Sequence, residues 1–182
     1  MGINYLLFAE NLSDLSDMAK LIKHLGVKRI IIIRPKIKEK YPPYYPQLVR
    51  EQIFKMREIY LSIEIRVDCE FSALFNNISS FELSKYGIFG CQARKDFLIL
   101  KPDSYLYPCC FLDKPMFKLE QDLESNYYRM LSYLDTMKKS IEDNCIQCKI
   151  IDNCFGCRGI VRLTSDNITD SDPICYEKCM VE

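Results

Sequence analysis

The sequence predicts an α/β fold followed by a small cysteine-rich α+β domain. Two short apolar runs, Ile3–Phe8 and Arg29–Arg34, are typical of buried parallel strands, and the segment between them has helical periodicity. A later stretch, Leu61–Asp68, alternates apolar and polar residues as a strand with one solvent-facing side does. Beyond that strand the apolar pattern gives way to closely spaced cysteines. We therefore expect two domains, 1–70 and 71–182.

The first region is predicted to contain a β-α-β unit. Asn11 or Ser13 is expected to cap its helix, and Gly26 to end it. The apolar residues of this helix recur at helical spacing: Leu15, Met18, Ala19, Ile22 and Leu25. A second helix is predicted over Gln47–Tyr60, with one apolar side formed by Leu48, Ile53, Met56 and Ile59. Three strands and two helices are too few to close a barrel, so we expect the last part of a larger α/β domain.

The second region is predicted to contain a β-hairpin and one long helix. Phe97–Leu100 and Tyr105–Tyr107 are the expected strands, joined by a turn that contains Pro102 and Asp103. Asp103 is interpreted first as a turn residue, although a carboxylate there could also transfer a proton. Leu123–Ile141 has helical periodicity, and the chain after it is expected to be irregular.

Composition excludes several functional classes. Twenty-five basic and 25 acidic residues give a net charge of zero, which argues against a nucleic-acid-binding protein. The sequence shows no apolar run long enough to span a membrane and no secretory signal at its start, so we expect a soluble, cytoplasmic protein. It also lacks a glycine-rich phosphate loop and a Ser/His/Asp arrangement, so hydrolysis by a nucleophilic residue has no support.

Ten cysteines are the most unusual feature of the composition. In an oxidising compartment such a density would suggest a disulfide scaffold. Without a secretory signal, and with paired C-x2-C spacings, metal binding is the better interpretation. Nine of the ten cysteines lie at or after position 91: Cys91, Cys109, Cys110, Cys145, Cys148, Cys154, Cys157, Cys175 and Cys179.

The motif Cys145-x2-Cys148-x5-Cys154-x2-Cys157 places four thiols close together in the sequence. Thiolate ligands limit the metal to zinc, iron in an iron–sulfur cluster, or Cu(I). One structural zinc is the simplest candidate, but the x5 spacing is short for a zinc ribbon, and several cysteines would remain unused. His24 is the single histidine and is interpreted as a surface or packing residue. Two sets of four thiolates would fit two 4Fe–4S clusters better.

The order of the motifs resembles the SPASM domain, the auxiliary-cluster domain at the C-terminus of radical S-adenosylmethionine enzymes. The resemblance covers about residues 91–175. Within the family, the sequence is similar to the peptide-maturase and sulfatase-maturase types. It is carried by Cys91, by Pro102-Asp103-Ser104-Tyr105-Leu106-Tyr107-Pro108-Cys109, by the four-cysteine motif, by Gly156-Cys157-Arg158-Gly159, and by Asp172-Pro173-Ile174-Cys175. Residues 3–69 are similar, less specifically, to the terminal β-α repeats of the partial TIM barrel that precedes such domains.

The resemblance implies two auxiliary 4Fe–4S clusters. Cys91, Cys109 and Cys157 would hold the first cluster, with Cys110 or Cys69 as a fourth ligand, or with one iron site left open. A second set, consisting of Cys145, Cys148, Cys154 and Cys175, would hold the other cluster. Cys179 would then be spare or would replace Cys175.

The sequence departs from the family pattern at three places. Ser104 stands where the family usually has glycine, and Cys154-x2-Cys157 is one residue shorter than usual. No C-x3-C-x2-C motif, which holds the cluster that cleaves S-adenosylmethionine, is present in this sequence. The resemblance therefore implies a portion of an enzyme that relays electrons and positions a peptide or protein substrate. It would use S-adenosylmethionine only with an N-terminal half or partner subunit, and we do not expect it to be active alone.

Two alternatives remain open at this point. A non-catalytic zinc-binding interaction module would use Cys145, Cys148, Cys154 and Cys157 and would unfold when the metal is chelated. A stand-alone electron carrier would hold the same clusters but would need no partner half.

Overall fold

A computed structural model describes residues 2–36, 45–68, 71, 74, 93, 98–112, 117–119, 122–142, 145–148, 151, 156–173 and 175. The chain divides into two compact units. Met1–Gly90 and Ile174–Glu182 form one, here called the parallel-sheet unit, and Cys91–Pro173 form the other, here called the hairpin unit.

The parallel-sheet unit contains three strands and two helices among its described residues. Its elements in chain order are β1 (Gly2–Leu6), α1 (Leu15–His24), β2 (Arg29–Ile33), α2 (Tyr45–Ile59) and β3 (Glu64–Val67). The strands are parallel in the order β1-β2-β3, with Gly2 beside Arg29 and Arg29 beside Glu64. The predicted β-α-β unit and the mixed α/β class are confirmed.

The core of this unit lies between the sheet and its helices. Ile30 and Ile32 on β2 are fully buried, together with Leu15, Ala19 and Ile22 of α1. These burial positions follow the helical and strand periods read from the sequence.

The buried side of α2 differs from the predicted one. Leu48 and Ile59 are 38% and 55% exposed, whereas Val49, Ile53 and Met56 are buried. The helix begins at Tyr45, whose buried hydroxyl donates a hydrogen bond to the Leu7 carbonyl at 2.9 Å. This anchor fixes the rotation of α2, so the apolar stripe continues from Tyr45 at helical spacing and leaves Leu48 outside.

The predicted N-cap of α1 is also wrong. A 3₁₀ turn, Leu12–Asp14, separates Asn11 from the helix, and no side chain caps the first turn of α1. The Asn11 side chain instead accepts the Phe8 N–H at 2.8 Å and donates to the Leu6 carbonyl at 3.0 Å. Asn11 therefore fastens the loop after β1, because its amide satisfies backbone groups that the strand leaves free.

Among its described residues, the hairpin unit has shorter strands than the parallel-sheet unit. Its elements are β4 (Ile99–Leu100), β5 (Tyr105–Tyr107), β6 (Phe117–Lys118), α3 (Leu123–Lys139) and α4 (Arg158–Thr164). The strands form an antiparallel sheet in the order β4-β5-β6, as the predicted hairpin requires, and β6 and α4 were not predicted. The apolar side of α3 forms a second core with the residues that follow it: Met130, Leu134, Met137, Ile141 and Cys145. Within the described part of the chain, no helix has the length and apolar character needed to cross a bilayer.

Candidate metal centre

The hairpin turn that precedes Cys109 is held by Asp103. Its carboxylate accepts the Tyr105 N–H at 2.9 Å and the Tyr107 hydroxyl at 3.2 Å. The Lys101 ammonium lies 3.8 Å from the centre of the Tyr107 ring, within the range of a cation–π interaction. These contacts give Asp103 the turn role that the sequence favours, and they fix the end of β5 two residues before Cys109.

Ser104 adopts the backbone conformation for which glycine is best suited. Its φ is 64°, and among the described residues it is the single non-glycine residue with positive φ. The turn closes through the Ser104 N–H, which bonds to the Lys101 carbonyl at 3.0 Å. Glycine adopts this conformation without strain, whereas L-residues such as serine are strained there.

Cys109 follows β5 and is half-buried. Its sulfur lies 3.5 Å from the Phe111 backbone nitrogen, which donates a hydrogen bond to it. A backbone N–H directed at a cysteine sulfur stabilises negative charge on that sulfur. The turn after Cys109 is closed by the Leu112 N–H, which bonds to the Cys109 carbonyl at 3.2 Å.

The same Phe111 contacts the segment that carries Cys157. A Cβ placed on Gly159 would lie 2.7 Å from Phe111 Cβ and 3.8 Å from Cys157 Sγ. The side chain of Phe111 thus occupies the space that a larger residue at position 159 would fill, beside the Cys157 sulfur. Phe111 therefore connects two segments that are far apart in the sequence: its N–H contacts the Cys109 sulfur, and its side chain lies against Gly159, two residues after Cys157.

Cys157 is itself held by a buried acidic residue. Its backbone N–H donates to Asp172 Oδ2 at 2.8 Å, and Asp172 is 4% exposed. Arg158, 3% exposed, donates to the carbonyls of Ile168 and Asp170 at 2.8 and 2.7 Å. These bonds hold the loop between α4 and Asp172 against the start of α4, where Cys157 lies.

Cys145 and Cys148 are brought to one turn, as their spacing predicts. The Cys148 N–H bonds to the Cys145 carbonyl at 3.1 Å, and the Ile151 N–H bonds to the Cys148 carbonyl at the same distance. Cys145 is buried at the end of the α3 core, whereas Cys148 is half-buried.

The remaining candidate ligands are less completely described. Cys110 is exposed, and Cys175 is half-buried and belongs to the parallel-sheet unit. Cys69, Cys91, Cys154 and Cys179 lie outside the described residues. Among the residues that are described, no three His, Cys, Asp or Glu side chains form a group able to hold a metal ion. The grouping of the ligands into two sets of four remains a prediction.

The chemistry of the described donors is compatible with an iron–sulfur cluster, as it is with zinc or Cu(I). The donors are thiols, which suit soft metal centres, and the Cys109 sulfur already accepts a backbone N–H. Hydrogen bonds to ligand sulfurs are among the interactions that set the reduction potential of such clusters.

Phe111 is a residue of the candidate site that the sequence analysis does not single out. Nothing in its own neighbourhood marks it, because it stands in a short irregular stretch after the cysteine pair. The available signal lay elsewhere, in Gly159 of Gly156-Cys157-Arg158-Gly159, since a glycine inside a helix costs stability and often marks a close approach by another group.

No protein-family model and no curated protein matches this sequence. Its fold, an α/β arrangement with a parallel sheet and a small antiparallel sheet, does resemble a solved structure. That structure is SuiB of Streptococcus suis, determined bound to S-adenosylmethionine, with a TM-score of 0.63 and 16% sequence identity. The match covers 96% of this chain and 44% of SuiB, so the chain spans less than half the length of the protein whose fold it shares.

Proposed function

We propose that this chain is the auxiliary-cluster portion of a radical S-adenosylmethionine enzyme that modifies a peptide or protein. It would combine the terminal β-α repeats of a partial TIM barrel with a SPASM-type domain that holds two 4Fe–4S clusters. When bound, such clusters accept and donate single electrons. The residues of this chain would hold the clusters, shield them from solvent and position the substrate.

The observation that carries this proposal is the contact of Phe111 with both thiol-bearing segments. Spacing alone would group Cys157 with Cys145 and Cys148, as a single zinc site does. In the structure Gly159, two residues after Cys157, packs against Phe111, whose N–H contacts the Cys109 sulfur. The sequence resemblance assigns Cys109 and Cys157 to one cluster, and this contact supports that assignment over the zinc module.

The fold of SuiB adds independent support. SuiB was solved with S-adenosylmethionine bound, and almost the whole of this chain matches part of it. This sequence lacks the C-x3-C-x2-C motif, so we propose that S-adenosylmethionine is cleaved only together with an N-terminal radical S-adenosylmethionine half or subunit. A reducing cytoplasmic compartment would keep the ten thiols available for metal.

Anaerobic reconstitution of the full chain with iron and sulfide tests this function. We expect about eight irons per chain, the content of two 4Fe–4S clusters. Cys109→Ser and Cys157→Ser should each remove about four irons and the same electron paramagnetic resonance (EPR) signal. Cys145→Ser and Cys148→Ser should remove the other signal. The surface change Ser132→Ala serves as a control that should alter neither.

Two results would overturn the proposal. A colourless protein that binds one or two zinc ions and no iron would leave the zinc-binding interaction module. The second result is one metal signal that depends on Cys157 together with Cys145 and Cys148. It would be lost in Cys145→Ser, Cys148→Ser and Cys157→Ser and kept in Cys109→Ser, and it would show that Cys157 belongs with its sequence neighbours. If both clusters form and no N-terminal partner carrying C-x3-C-x2-C exists, a stand-alone electron carrier replaces the enzyme portion.

A further inference from the structure

The carboxylate of Asp172 lies beside the backbone of Cys157. Its carboxylate accepts the Cys157 N–H across fifteen residues of sequence, at 2.8 Å. At 4% exposure, this acidic side chain is almost entirely removed from water. Acidic side chains are rarely buried to this extent without a specific role or partner.

The neighbourhood of Asp172 is held rigidly. A Cβ on Gly156, which has a φ of 69°, would lie 2.5 Å from Arg158 Nη2 and 2.9 Å from Asp172 Cβ. Arg158 and Asp172 therefore both lie on the side of Gly156 where a side chain would project. Arg158 also binds two carbonyls of the loop that ends at Asp172. Within that loop the Ser165 hydroxyl bonds to the Asp170 carboxylate. The loop that leads to Asp172 is thus held by several hydrogen bonds, and the Asp172 carboxylate itself by the one from the Cys157 N–H.

The following inference rests on the proposed function. We propose that Asp172 is a positioning residue for Cys157 and that it also lowers the reduction potential of the cluster bound there. Its hydrogen bond fixes the backbone from which the Cys157 side chain extends. A carboxylate at this position brings one more negative charge than a neutral side chain would, also with the Arg158 guanidinium on the same side of Gly156. It therefore favours the oxidised cluster, because reduction adds a further negative charge nearby.

The test compares Asp172→Asn with Asp170→Asn in the reconstituted full chain. Asparagine keeps an oxygen that can accept the Cys157 N–H, but it removes one negative charge. Asp170 lies in the same loop and is only half-buried, so its substitution is a matched control. Reduction potentials are measured for each cluster by EPR at controlled potential, and Cys157→Ser identifies which signal belongs to the Cys157 cluster.

We expect Asp172→Asn to shift that one potential to a more positive value and to leave the other cluster unchanged. Asp170→Asn should produce a smaller shift. Asp172→Glu retains the charge and should keep the potential close to the wild-type value. An unchanged potential in Asp172→Asn, or a shift no larger than that of Asp170→Asn, would overturn the inference. So would an Asp172→Asn chain that folds but binds no iron at Cys157.

A second measurement, on the chain before iron is added, separates this inference from the proposed function. Hydrogen exchange at the Cys157 amide should be protected in wild type and Asp172→Asn, and should become fast in Asp172→Ala. Fast exchange in wild type would overturn the positioning role. A wild-type chain that shows this protection but takes up no iron would overturn the proposed function, and with it the effect on potential, while leaving the positioning role supported.

Discussion

Phe111 packs directly against Gly159, so closely that an alanine Cβ at position 159 would lie 2.7 Å from Phe111 Cβ. Real Cβ atoms do not approach other atoms to this distance, so the contact depends on the absence of a side chain. It joins the turn after β5 to the start of α4, the two places where Cys109 and Cys157 lie.

Gly159→Ala should therefore destabilise the hairpin unit. Overpacking costs about 2 kcal/mol, more than the roughly 1 kcal/mol that alanine gains over glycine in a helix. The unfolding free energy is measured by urea denaturation, and iron content after reconstitution should also fall.

Gly26→Ala is the matched control for this substitution. Gly26 has a φ of 66°, but a Cβ there meets no atom within 4 Å. Its replacement should cost about 1 kcal/mol of backbone strain without changing iron content. Equal iron content in the two variants would contradict the role given to the Phe111 contact.

Ser104→Gly should stabilise the protein. The serine has a φ of 64°, which glycine adopts without strain. The expected gain is about 1 kcal/mol, after allowing for the greater freedom of glycine in the unfolded chain. Ser132→Gly, in the exposed interior of α3, should instead destabilise by about 0.5 kcal/mol, since serine lies between alanine and glycine in helix propensity. Thermal unfolding of both variants checks the pair, and a lower melting temperature for Ser104→Gly would contradict the prediction.

Tyr45→Phe should weaken the parallel-sheet unit. The change removes the hydroxyl that bonds to the Leu7 carbonyl at 2.9 Å and leaves this buried oxygen with one bond fewer. We expect a loss of about 1–2 kcal/mol in the free energy of unfolding, measured in urea. Tyr133→Phe, on a side chain that is 50% exposed, should have no measurable effect. Similar values for the two variants would show that the buried hydroxyl does not anchor α2.

Asp122 gives the stability of α3 a predictable pH dependence. The Ser125 N–H and hydroxyl donate to its carboxylate at 2.9 and 2.8 Å and hold its pKa below the ordinary value of 3.8. A carboxyl with a lower pKa in the folded state stabilises the fold above the unfolded pKa, and this contribution is lost as the pH falls through the folded pKa.

Asp122→Asn keeps a capping oxygen but does not titrate, so it serves as the comparison. Near neutral pH the difference in the free energy of unfolding between wild type and Asp122→Asn should be constant. Below about pH 4 the wild type should lose stability relative to Asp122→Asn. Urea unfolding at a series of pH values measures it. A difference that does not change with pH would mean that the Asp122 carboxylate contributes nothing through its charge.

The parts of the fold predicted from sequence are those with a strong local signal. The four isoleucines of β2 and the helical spacing of Leu15, Ala19 and Ile22 each carry enough apolar pattern to define an element. Phe117–Lys118 and Arg158–Thr164 are too short to show a period, so β6 and α4 could not be seen. The buried face of α2 differs from the predicted one because the Tyr45 hydroxyl bonds to Leu7, a distant residue that follows β1.

In the candidate site, too, the features that the sequence predicts are the local ones. The turn at Cys145 and Cys148 follows from a two-residue spacing, which is a local property. The packing of Phe111, beside Cys109, against Gly159 and the bond from Cys157 to Asp172 depend on contacts between distant segments. No periodicity encodes such contacts, and the family resemblance was the one source that grouped Cys109 with Cys157.

The two sheets also differ in how their strands are connected, and this has a kinetic consequence. β4 and β5 are joined by the four-residue turn Lys101–Ser104, whereas each neighbouring pair in the parallel sheet is separated by a helix. Closing a short loop costs less entropy than closing a long one, and local contacts form faster. During refolding, the amides of β4 and β5 should therefore gain protection from exchange earlier than those of β1 and β3, so the turn leading to Cys109 would be shaped before the parallel sheet is complete.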